Sequence, residues 1–225
     1  MLSEHPRIKL LSLLDAQLLP NIDVWHLDLD HITLQDHADA RTYLAPQELE
    51  RADRYRHIKD QQHFSLRRML LKQLLSVYTK VHPRDVQLEE DEHNKPRIMN
   101  DSNLHFNASH SPLHGIVAVH PSHSVGVDIE PISAIEDRGC LLDQFASLDE
   151  KRWVHTSTHR FFMVWTIKEA LLKCQGTGFL VDTVPTLEAL PVQISEYTYV
   201  ARSQEYIIYS TLWEKHWISI CRPDG

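Results

Sequence analysis

Two carboxylates two residues apart, Asp128 and Glu130, are the first candidates for chemistry in the sequence. They lie in residues 124–130, where apolar and polar residues alternate as in a half-buried β-strand. Because side chains alternate across a strand, both carboxylates face the same side, and a cation must offset their repulsion. Magnesium suits such a pair, since it prefers oxygen ligands and commonly joins carboxylates to substrate phosphates. Taken alone, however, the strand fits a solvated acidic face better than a metal site.

A second group of candidates lies on a helix predicted over residues 161–174. Trp165, Glu169 and Lys173 follow one another at four-residue spacing, so they form one stripe on this helix, and Lys168 lies beside Glu169. A carboxylate flanked by two lysines can join a metal site while the lysines face phosphate oxygens. The alternative is an ordinary Glu-to-Lys pair on a solvated surface, which contributes only about 0.2–0.5 kcal/mol.

Basic residues are concentrated in residues 41–72, where eight Lys and Arg stand against four Asp and Glu. This segment includes a helix predicted over residues 63–75, and its excess charge can hold a polyphosphate or dock an acidic partner. A solvated helix face is the alternative. Residues 94–96 (Asn-Lys-Pro) and 106–111 (Phe-Asn-Ala-Ser-His-Ser) add amide, hydroxyl and imidazole groups that suit recognition of phosphate oxygens.

Composition limits the function classes. The chain has 225 residues, 42% hydrophobic and 24% charged, which predicts one or two globular domains. A net charge of −8 argues against a general binder of nucleic acid or anionic membranes. Three cysteines are too few for a disulfide framework, and the 16 histidines lack the His-Glu-x-x-His spacing of zinc proteases. No secretory pattern or membrane-spanning apolar run is present, so we expect a cytoplasmic protein.

The sequence also contains a possible internal repeat. Residues 27–30 and 127–130 are similar in sequence and lie one hundred residues apart. The similar helical segments 68–72 and 169–173 lie 101 residues apart. This recurrence suggests two similar α/β halves with a ligand cleft between them, although two matches this short also arise by chance. A tail over residues 197–221 alternates again and predicts two further strands.

Together, the motifs at residues 94–96, 106–111, 126–130 and 165–176 resemble the 4′-phosphopantetheinyl transferase superfamily in order and spacing. The length and the basic N-terminal half resemble its Sfp type. The resemblance implies an α+β fold of two pseudo-symmetric subdomains, each an antiparallel sheet with helices, with the active site in the cleft between them. It places the N-terminal half at residues 1–121 and the C-terminal half, with the magnesium site, at residues 122–225.

The resemblance also implies a reaction. The enzyme would transfer 4′-phosphopantetheine from coenzyme A to a serine of an apo acyl or peptidyl carrier protein and release adenosine 3′,5′-bisphosphate. Such enzymes activate carriers of fatty-acid, polyketide or nonribosomal peptide synthesis. We expect a magnesium-dependent monomer, with manganese as a substitute, and no nucleic-acid or membrane partner.

Specific residues match the family's site. Asp128, Glu130 and Glu169 correspond to its magnesium ligands. Glu169, directly or through a metal-bound water, is the candidate base for the carrier serine, and Lys173 would stabilise or protonate the leaving nucleotide. The resemblance also implies the contacts with coenzyme A. Arg51, Lys168 and Lys173 would contact the pyrophosphate, Lys95, Ser109 and His110 would hold the 3′-phosphate, and Pro96 would lie beside the adenine. Asp128 is also expected among the residues that bind coenzyme A.

Two positions depart from the family pattern, and two other functions remain open. Asn94 replaces a glycine, and His63 stands where a basic residue is common, which would weaken 3′-phosphate binding or make it pH-dependent. A different magnesium-dependent phosphate enzyme could use the same three carboxylates. A carrier-binding or coenzyme A-binding module with decayed chemistry is the other alternative, but it would have no reason to keep all three carboxylates and both lysines.

Overall fold

The N-terminal part of the structure, a computed structural model, is a sheet covered by one long helix. Four of its strands pair antiparallel in the spatial order first, second, sixth, fifth, while the third and fourth form a separate hairpin. The structure describes residues 2–13, 18–91, 95–99, 103–178 and 184–225. The elements are β1 (Ile8–Leu10), β2 (Asp23–Asp28), α1 (Leu34–Arg41), α2 (Pro46–Asp53), α3 (Ile58–Thr79), β3 (Leu88–Glu90), β4 (Pro96–Ile98), β5 (His105–His110) and β6 (His114–His120).

The C-terminal part repeats this plan with a larger sheet. Its elements are β7 (Gly126–Pro131), α4 (Arg138–Phe145), α5 (Leu148–Val154), α6 (Thr158–Gln175), β8 (Val192–Ser195), β9 (Thr198–Ser203), β10 (Tyr206–Trp213) and β11 (His216–Pro223). The strands pair antiparallel in the order β7-β11-β10-β9-β8. In each half the first long strand therefore pairs with the last one, and a long helix lies between them in the chain. The predicted α+β fold with two sheet-containing subdomains is confirmed, while the boundary at residues 121/122 stays a prediction.

Each half has its own main apolar core, and another core joins the two halves. One lies between α3 and the N-terminal sheet, where Leu66, Leu70 and Leu74 are fully buried. Another lies between α6 and the C-terminal sheet. The third lies between the sheets and joins Val24 and Ile116 of the first half to residues of the second, among them Val127, Ile129, Ile218 and Ile220. Since a fully buried Ile or Val contributes about 1.5–3 kcal/mol, this shared core fixes one half against the other.

Helix α6 agrees closely with its prediction over residues 161–174. It begins three residues earlier because Ser157 Oγ accepts a hydrogen bond from the Arg160 backbone N–H and caps the first turn. It ends at Gly176, whose φ of 75° is the left-handed conformation that favours glycine. Helix α3 was predicted over residues 63–75 and is longer at both ends. None of the helices in the described ranges is long and apolar enough to cross a membrane.

The prediction of two strands in residues 197–221 is wrong, since three strands, β9, β10 and β11, run through this segment. They are joined by two-residue turns whose first residues, Gln204 and Glu214, have φ of 52° and 54°. Tight hairpin turns usually carry Gly or Asn at such positions, and neither residue type occurs in these turns. The residues of these turns therefore do not predict a hairpin, and the sequence pattern predicts one strand where the structure has two.

The repeat is present, but in a different register from the one predicted. Each long helix ends at a left-handed residue, Lys80 or Gly176, and a buried lysine lies eight residues before it. This relates Lys72 to Lys168, not to Lys173. In β2, Asp28 lies on the same strand face as Val24, and this face is turned to the shared core. In β7, Val127 is turned to the shared core, so Asp128 lies on the other face of its strand. The similarity of residues 27–30 to 127–130 is therefore not a structural equivalence.

Candidate active site

The acidic face of β7 is covered by helix α6. Asp128 is only 3% exposed, which rules out a solvated acidic face. Gly126 lies on the same face and permits the close approach, because a Cβ there would lie 2.0 Å from the Ala170 carbonyl oxygen. The helix is thus near enough for Glu169 to share electrostatic interactions with Asp128. The strand carboxylates and the helix carboxylate, predicted from separate motifs, form one site.

This site carries more negative charge than its surroundings neutralise. Burial and then the charge of Asp128 raise the pKa of Glu130 to about 7, although the Trp165 indole donates a hydrogen bond to it. Burial likewise raises the pKa of Glu169, and Asp128 adds to that rise while Lys173 opposes it. Carboxyl groups whose pKa values are raised by burial and by a neighbouring carboxylate are typical of functional sites.

Lys173 and Ser109 surround one oxygen of Asp128. Lys173 Nζ donates to Asp128 Oδ1 at 2.6 Å and to Ser109 Oγ at 3.1 Å. Ser109 Oγ donates to the same Oδ1 at 2.8 Å. Because Ser109 belongs to β5, this triangle of contacts joins the N-terminal half to β7 and α6. The other oxygen, Asp128 Oδ2, is buried without a hydrogen-bond partner.

The residues fit a divalent cation, although they do not form a finished metal site. Within the ranges that the structure describes, no group of three or more His, Cys, Asp or Glu is arranged to hold a metal ion. The buried, unpartnered Asp128 Oδ2 and the raised pKa values of Glu130 and Glu169 indicate that positive charge is missing here. Carboxylate oxygens are the ligands that magnesium prefers, so the donor chemistry agrees with the predicted ion.

Two cavities lie near this site, one between the two halves and one within the N-terminal half, and Pro96 borders both. The larger, of about 540 Å³, lies between the β3–β4 hairpin and the C-terminal end of α6 and is lined by Lys95, Pro96 and Gly176. Lys95 Nζ reaches across it and donates to the backbone carbonyls of Lys173 at 2.5 Å and Val125 at 3.3 Å. Its ammonium therefore lies in the cleft but is bound to the opposite wall. Asn94, the departure from the family pattern, lies outside the described residues.

The second cavity, of about 310 Å³, lies against α3 and β5. The predicted residues Arg51, Ser109 and His110 line it, and Arg67 is among its other polar lining residues. Arg51 forms an ion pair with Glu90. Burial and then the charge of Arg67 lower the pKa of His110 to about 4, so this imidazole is neutral at pH 7.

Arg67 is a cavity residue that the sequence reasoning missed. Burial lowers the pKa of its guanidinium to about 10, and the charges of Arg68 and Arg51 act in the same direction. Its charge also acts on His63, the second departure from the family pattern, where burial and Arg67 lower the pKa. The sequence signal was its place in the basic segment 41–72, which did not single out Arg67 among eight Lys and Arg.

Lys168 is not in the cleft, which corrects its expected role at the pyrophosphate. Its Nζ is buried between α5 and α6, donates to the Phe145 carbonyl at 2.7 Å and pairs with Glu150 Oε2 at 2.8 Å. Successive helix residues point about 100° apart, so Lys168 faces α5 while Glu169 faces β7. A lysine held in this way cannot contact a phosphate in the cleft. Of the eight predicted coenzyme A residues, the other seven line the two cavities or the carboxylate site.

Comparison with known proteins gives matches in both halves of the chain. The family model described as 4′-phosphopantetheinyl transferase superfamily matches residues 124–221, and the model described as 4′-phosphopantetheinyl transferase, N-terminal, matches residues 31–122. The 4′-phosphopantetheinyl transferase HetI of Nostoc sp. is 30% identical over 186 residues, which are 79% of this chain and 75% of HetI.

Two further relatives match over shorter stretches. The 4′-phosphopantetheinyl transferase gsp of Aneurinibacillus migulanus is 31% identical over 57% of this chain and 54% of its own length. The 4′-phosphopantetheinyl transferase Sfp of Bacillus subtilis is 28% identical over 61% of this chain and 62% of its own. The chain thus spans between about half and three quarters of the length of these relatives.

Proposed function

The chain belongs to the 4′-phosphopantetheinyl transferase superfamily, and we propose that it transfers 4′-phosphopantetheine from coenzyme A to a serine of an apo acyl or peptidyl carrier protein. The observation that carries this proposal is the triangle of Ser109, Asp128 and Lys173, which joins the two halves beside two further buried carboxylates. A site of this kind, between two cavities with basic linings, suits a substrate that is a pyrophosphate with a nucleotide at one end.

Asp128, Glu130 and Glu169 would hold a magnesium ion, for which manganese can substitute. When bound, the ion neutralises the charge of the pyrophosphate. Glu169 accepts the proton of the carrier serine, directly or through a water. The bond that forms joins the serine oxygen to the β-phosphorus. The bond that breaks joins the β-phosphorus to the bridging oxygen of the pyrophosphate, which leaves as part of adenosine 3′,5′-bisphosphate. Lys173 Nζ donates a hydrogen bond or a proton to this leaving nucleotide.

Coenzyme A would lie along the two cavities. Pro96 borders both of them and is assigned to the adenine. Ser109 and His110 are assigned to the 3′-phosphate with Lys95, which leaves its backbone carbonyl partners when the phosphate binds. Arg51 and Lys173 remain on the pyrophosphate side, and Arg67 adds the charge that the neutral His110 does not provide.

The partner would be an acidic carrier protein of fatty-acid, polyketide or nonribosomal peptide synthesis. Exposed basic residues of the segment 41–72, among them Arg54, Arg56 and Lys59, would guide it toward the cleft. We propose a monomer, because one chain supplies Ser109 from one half and Asp128 and Lys173 from the other. A cytoplasmic location is in keeping with Cys140, Cys174 and Cys221, which are free thiols.

Intact-mass spectrometry of an apo carrier protein tests the reaction. The protein, coenzyme A and magnesium are expected to add the mass of one phosphopantetheine, and omission of magnesium or the change Asp128→Ala should abolish the gain. Release of free phosphate or a nucleoside monophosphate would instead indicate a different magnesium-dependent phosphate enzyme. Coenzyme A binding without transfer to carriers of all three classes would indicate a binding module.

A further inference from the structure

Lys168 and Glu150 form a buried ion pair that the proposed reaction does not use. Both side chains are almost fully buried, at 2% and 3% exposure. Glu150 Oε2 accepts from Lys168 Nζ at 2.8 Å and also from the Ser147 backbone N–H at 2.6 Å, which closes the first turn of α5. The Phe145 carbonyl is the second acceptor of Lys168. The pair thus ties the middle of α6 to the start of α5.

The same arrangement occurs in the N-terminal half. Lys72 Nζ of α3 pairs with Glu48 Oε2 at 2.8 Å and donates to the Tyr43 carbonyl at 3.1 Å. Glu48 Oε2 accepts from the Ala45 backbone N–H at 2.8 Å and closes the first turn of α2. In both halves the carbonyl lies five residues before the glutamate, and the capped N–H lies three residues before it.

This repetition separates the lysine's role from substrate binding. The residue after Lys72 is the uncharged Gln73, whereas the residue after Lys168 is Glu169. A lysine–glutamate pair that recurs beside a residue with no proposed part in the reaction belongs to the scaffold of each half. In the C-terminal half, this ion pair fixes Lys168, which is next in sequence to the proposed metal ligand Glu169.

We propose that Lys168 is a positioning residue, whose buried ion pair with Glu150 fixes the rotation of α6 and so directs Glu169 toward Asp128. The inference rests on the proposed function, since it concerns the same carboxylate site. A rotation that released Lys168 from α5 would turn Glu169 by the same angle, because the two residues are adjacent on one helix. Lys168 then acts on the metal site only through Glu169 and not by touching the substrate.

The test measures Mn²⁺ affinity and coenzyme A affinity of the full chain at a temperature where thermal unfolding shows each variant to be folded. Lys168→Met should bind Mn²⁺ about tenfold more weakly, as is typical when the support of a metal ligand is removed, with coenzyme A affinity within about twofold of the wild type. Lys72→Met removes the equivalent lysine beside Gln73 and should leave Mn²⁺ affinity unchanged.

Changes at Glu150 separate positioning from direct contact. In the double variant K168M/E150Q the cap of α5 is kept and no unpaired charge is buried, but the ion pair between α5 and α6 is still missing, so Mn²⁺ affinity should stay about as low as in Lys168→Met. Glu150→Gln alone keeps Lys168 but removes its charged partner, so Mn²⁺ binding should weaken while coenzyme A binding stays. This second variant also tests the proposal if K168M does not fold.

Three results would overturn the inference. One is a loss of coenzyme A affinity in Lys168→Met that the double variant does not restore, which would make Lys168 a phosphate ligand. The second is unchanged Mn²⁺ affinity in both Lys168→Met and Glu150→Gln. The third is an equal loss of Mn²⁺ affinity in Lys72→Met, which would show an effect of general stability. Failure of the proposed function is distinct, since the wild type would then transfer no phosphopantetheine to any carrier, whereas the inference is read from Mn²⁺ affinity.

Discussion

Lys173 Nζ lies 2.6 Å from Asp128 Oδ1, so the proposed proton donor is bound to a proposed metal ligand. The contact is partly sheltered from water, because Asp128 is buried and Lys173 is about three-quarters buried. The ammonium therefore supplies the positive charge that the carboxylates would otherwise lack. A divalent ion bound at this oxygen would compete with Lys173.

The first prediction concerns this competition. Lys173→Gln removes the competing charge, so metal-free protein should bind Mn²⁺ about tenfold more tightly, which corresponds to about 1.4 kcal/mol. Transfer to the carrier should fall by about 10²–10⁴-fold, because the leaving nucleotide loses its hydrogen-bond donor. Calorimetric titration with Mn²⁺ and the mass assay measure the two effects. The surface change Arg152→Gln, which breaks an exposed ion pair with Asp149, should alter neither.

The second prediction is a pH-dependent stability difference at Glu130. Its pKa is raised to about 7 in the folded protein against 4.5 in the unfolded chain, so ionisation on raising the pH through this range costs stability. Glu130→Gln removes that cost. Allowing for the partial exposure of the group, we expect a Tm about 2–4 °C above the wild type at pH 8 without metal, and no difference below pH 4.5. With Mn²⁺ present the order should reverse, because the wild type alone keeps all three ligands.

Much of the site could be predicted because each motif is local. The alternation in residues 124–130 and the four-residue spacing of Glu169 and Lys173 are properties of single elements, and Gly126 allows those elements to meet. Lys168 could not be assigned correctly, because its partner lies 18 residues away on another helix. The Ser147-x-x-Glu150 capping signal was readable in the sequence, but it predicts only where α5 begins and not which lysine reaches it.

The internal repeat shows a similar limit. Short sequence matches aligned Asp28 with Asp128, which are 100 residues apart. Side chains in a strand alternate between its two faces, so changing the alignment by one residue places every matched side chain on the opposite face. Packing decides between the two alignments, and Val24 and Val127, which both face the shared core, are 103 residues apart. Equivalent contacts, such as those of Lys72 and Lys168, define the repeat better than the matching letters do.

The third prediction concerns the approach of α6 to β7. In Gly126→Ala the new methyl group would lie 2.0 Å from a backbone carbonyl oxygen of α6, which cannot move without displacing the helix. We expect a loss of about 1–3 kcal/mol or more in the free energy of unfolding, together with weaker Mn²⁺ binding. Gly139→Ala is the matched control, because nothing lies within 4 Å of its added Cβ and alanine favours a helix. Denaturant unfolding and Mn²⁺ titration of both variants check this. Equal stability of the two variants would mean that α6 can shift without cost.

The fourth prediction concerns acid stability at the junction of the sheets. His26 Nε2 of β2 lies 3.0 Å from His114 Nδ1 of β6, and a hydrogen bond between them requires one neutral ring. Burial lowers the pKa of His26 to about 4, with the charges of His114 and Lys9 acting in the same direction and those of Asp28 and Glu214 opposing them.

The unfolded pKa of a histidine is about 6.5, so the unfolded chain binds the proton first as the pH falls. Stability from His26 is therefore complete above pH 6.5 and is lost between pH 6.5 and 4. His26→Gln keeps a hydrogen-bonding side chain that does not titrate, and it should reduce the fall in Tm over this range by about 2–4 °C. His31→Asn, which removes a fully exposed imidazole, should leave the fall unchanged. If His26→Gln keeps the whole wild-type fall, the acid-sensitive group is another one, and His216, whose Nδ1 is buried without a partner, is the next to change.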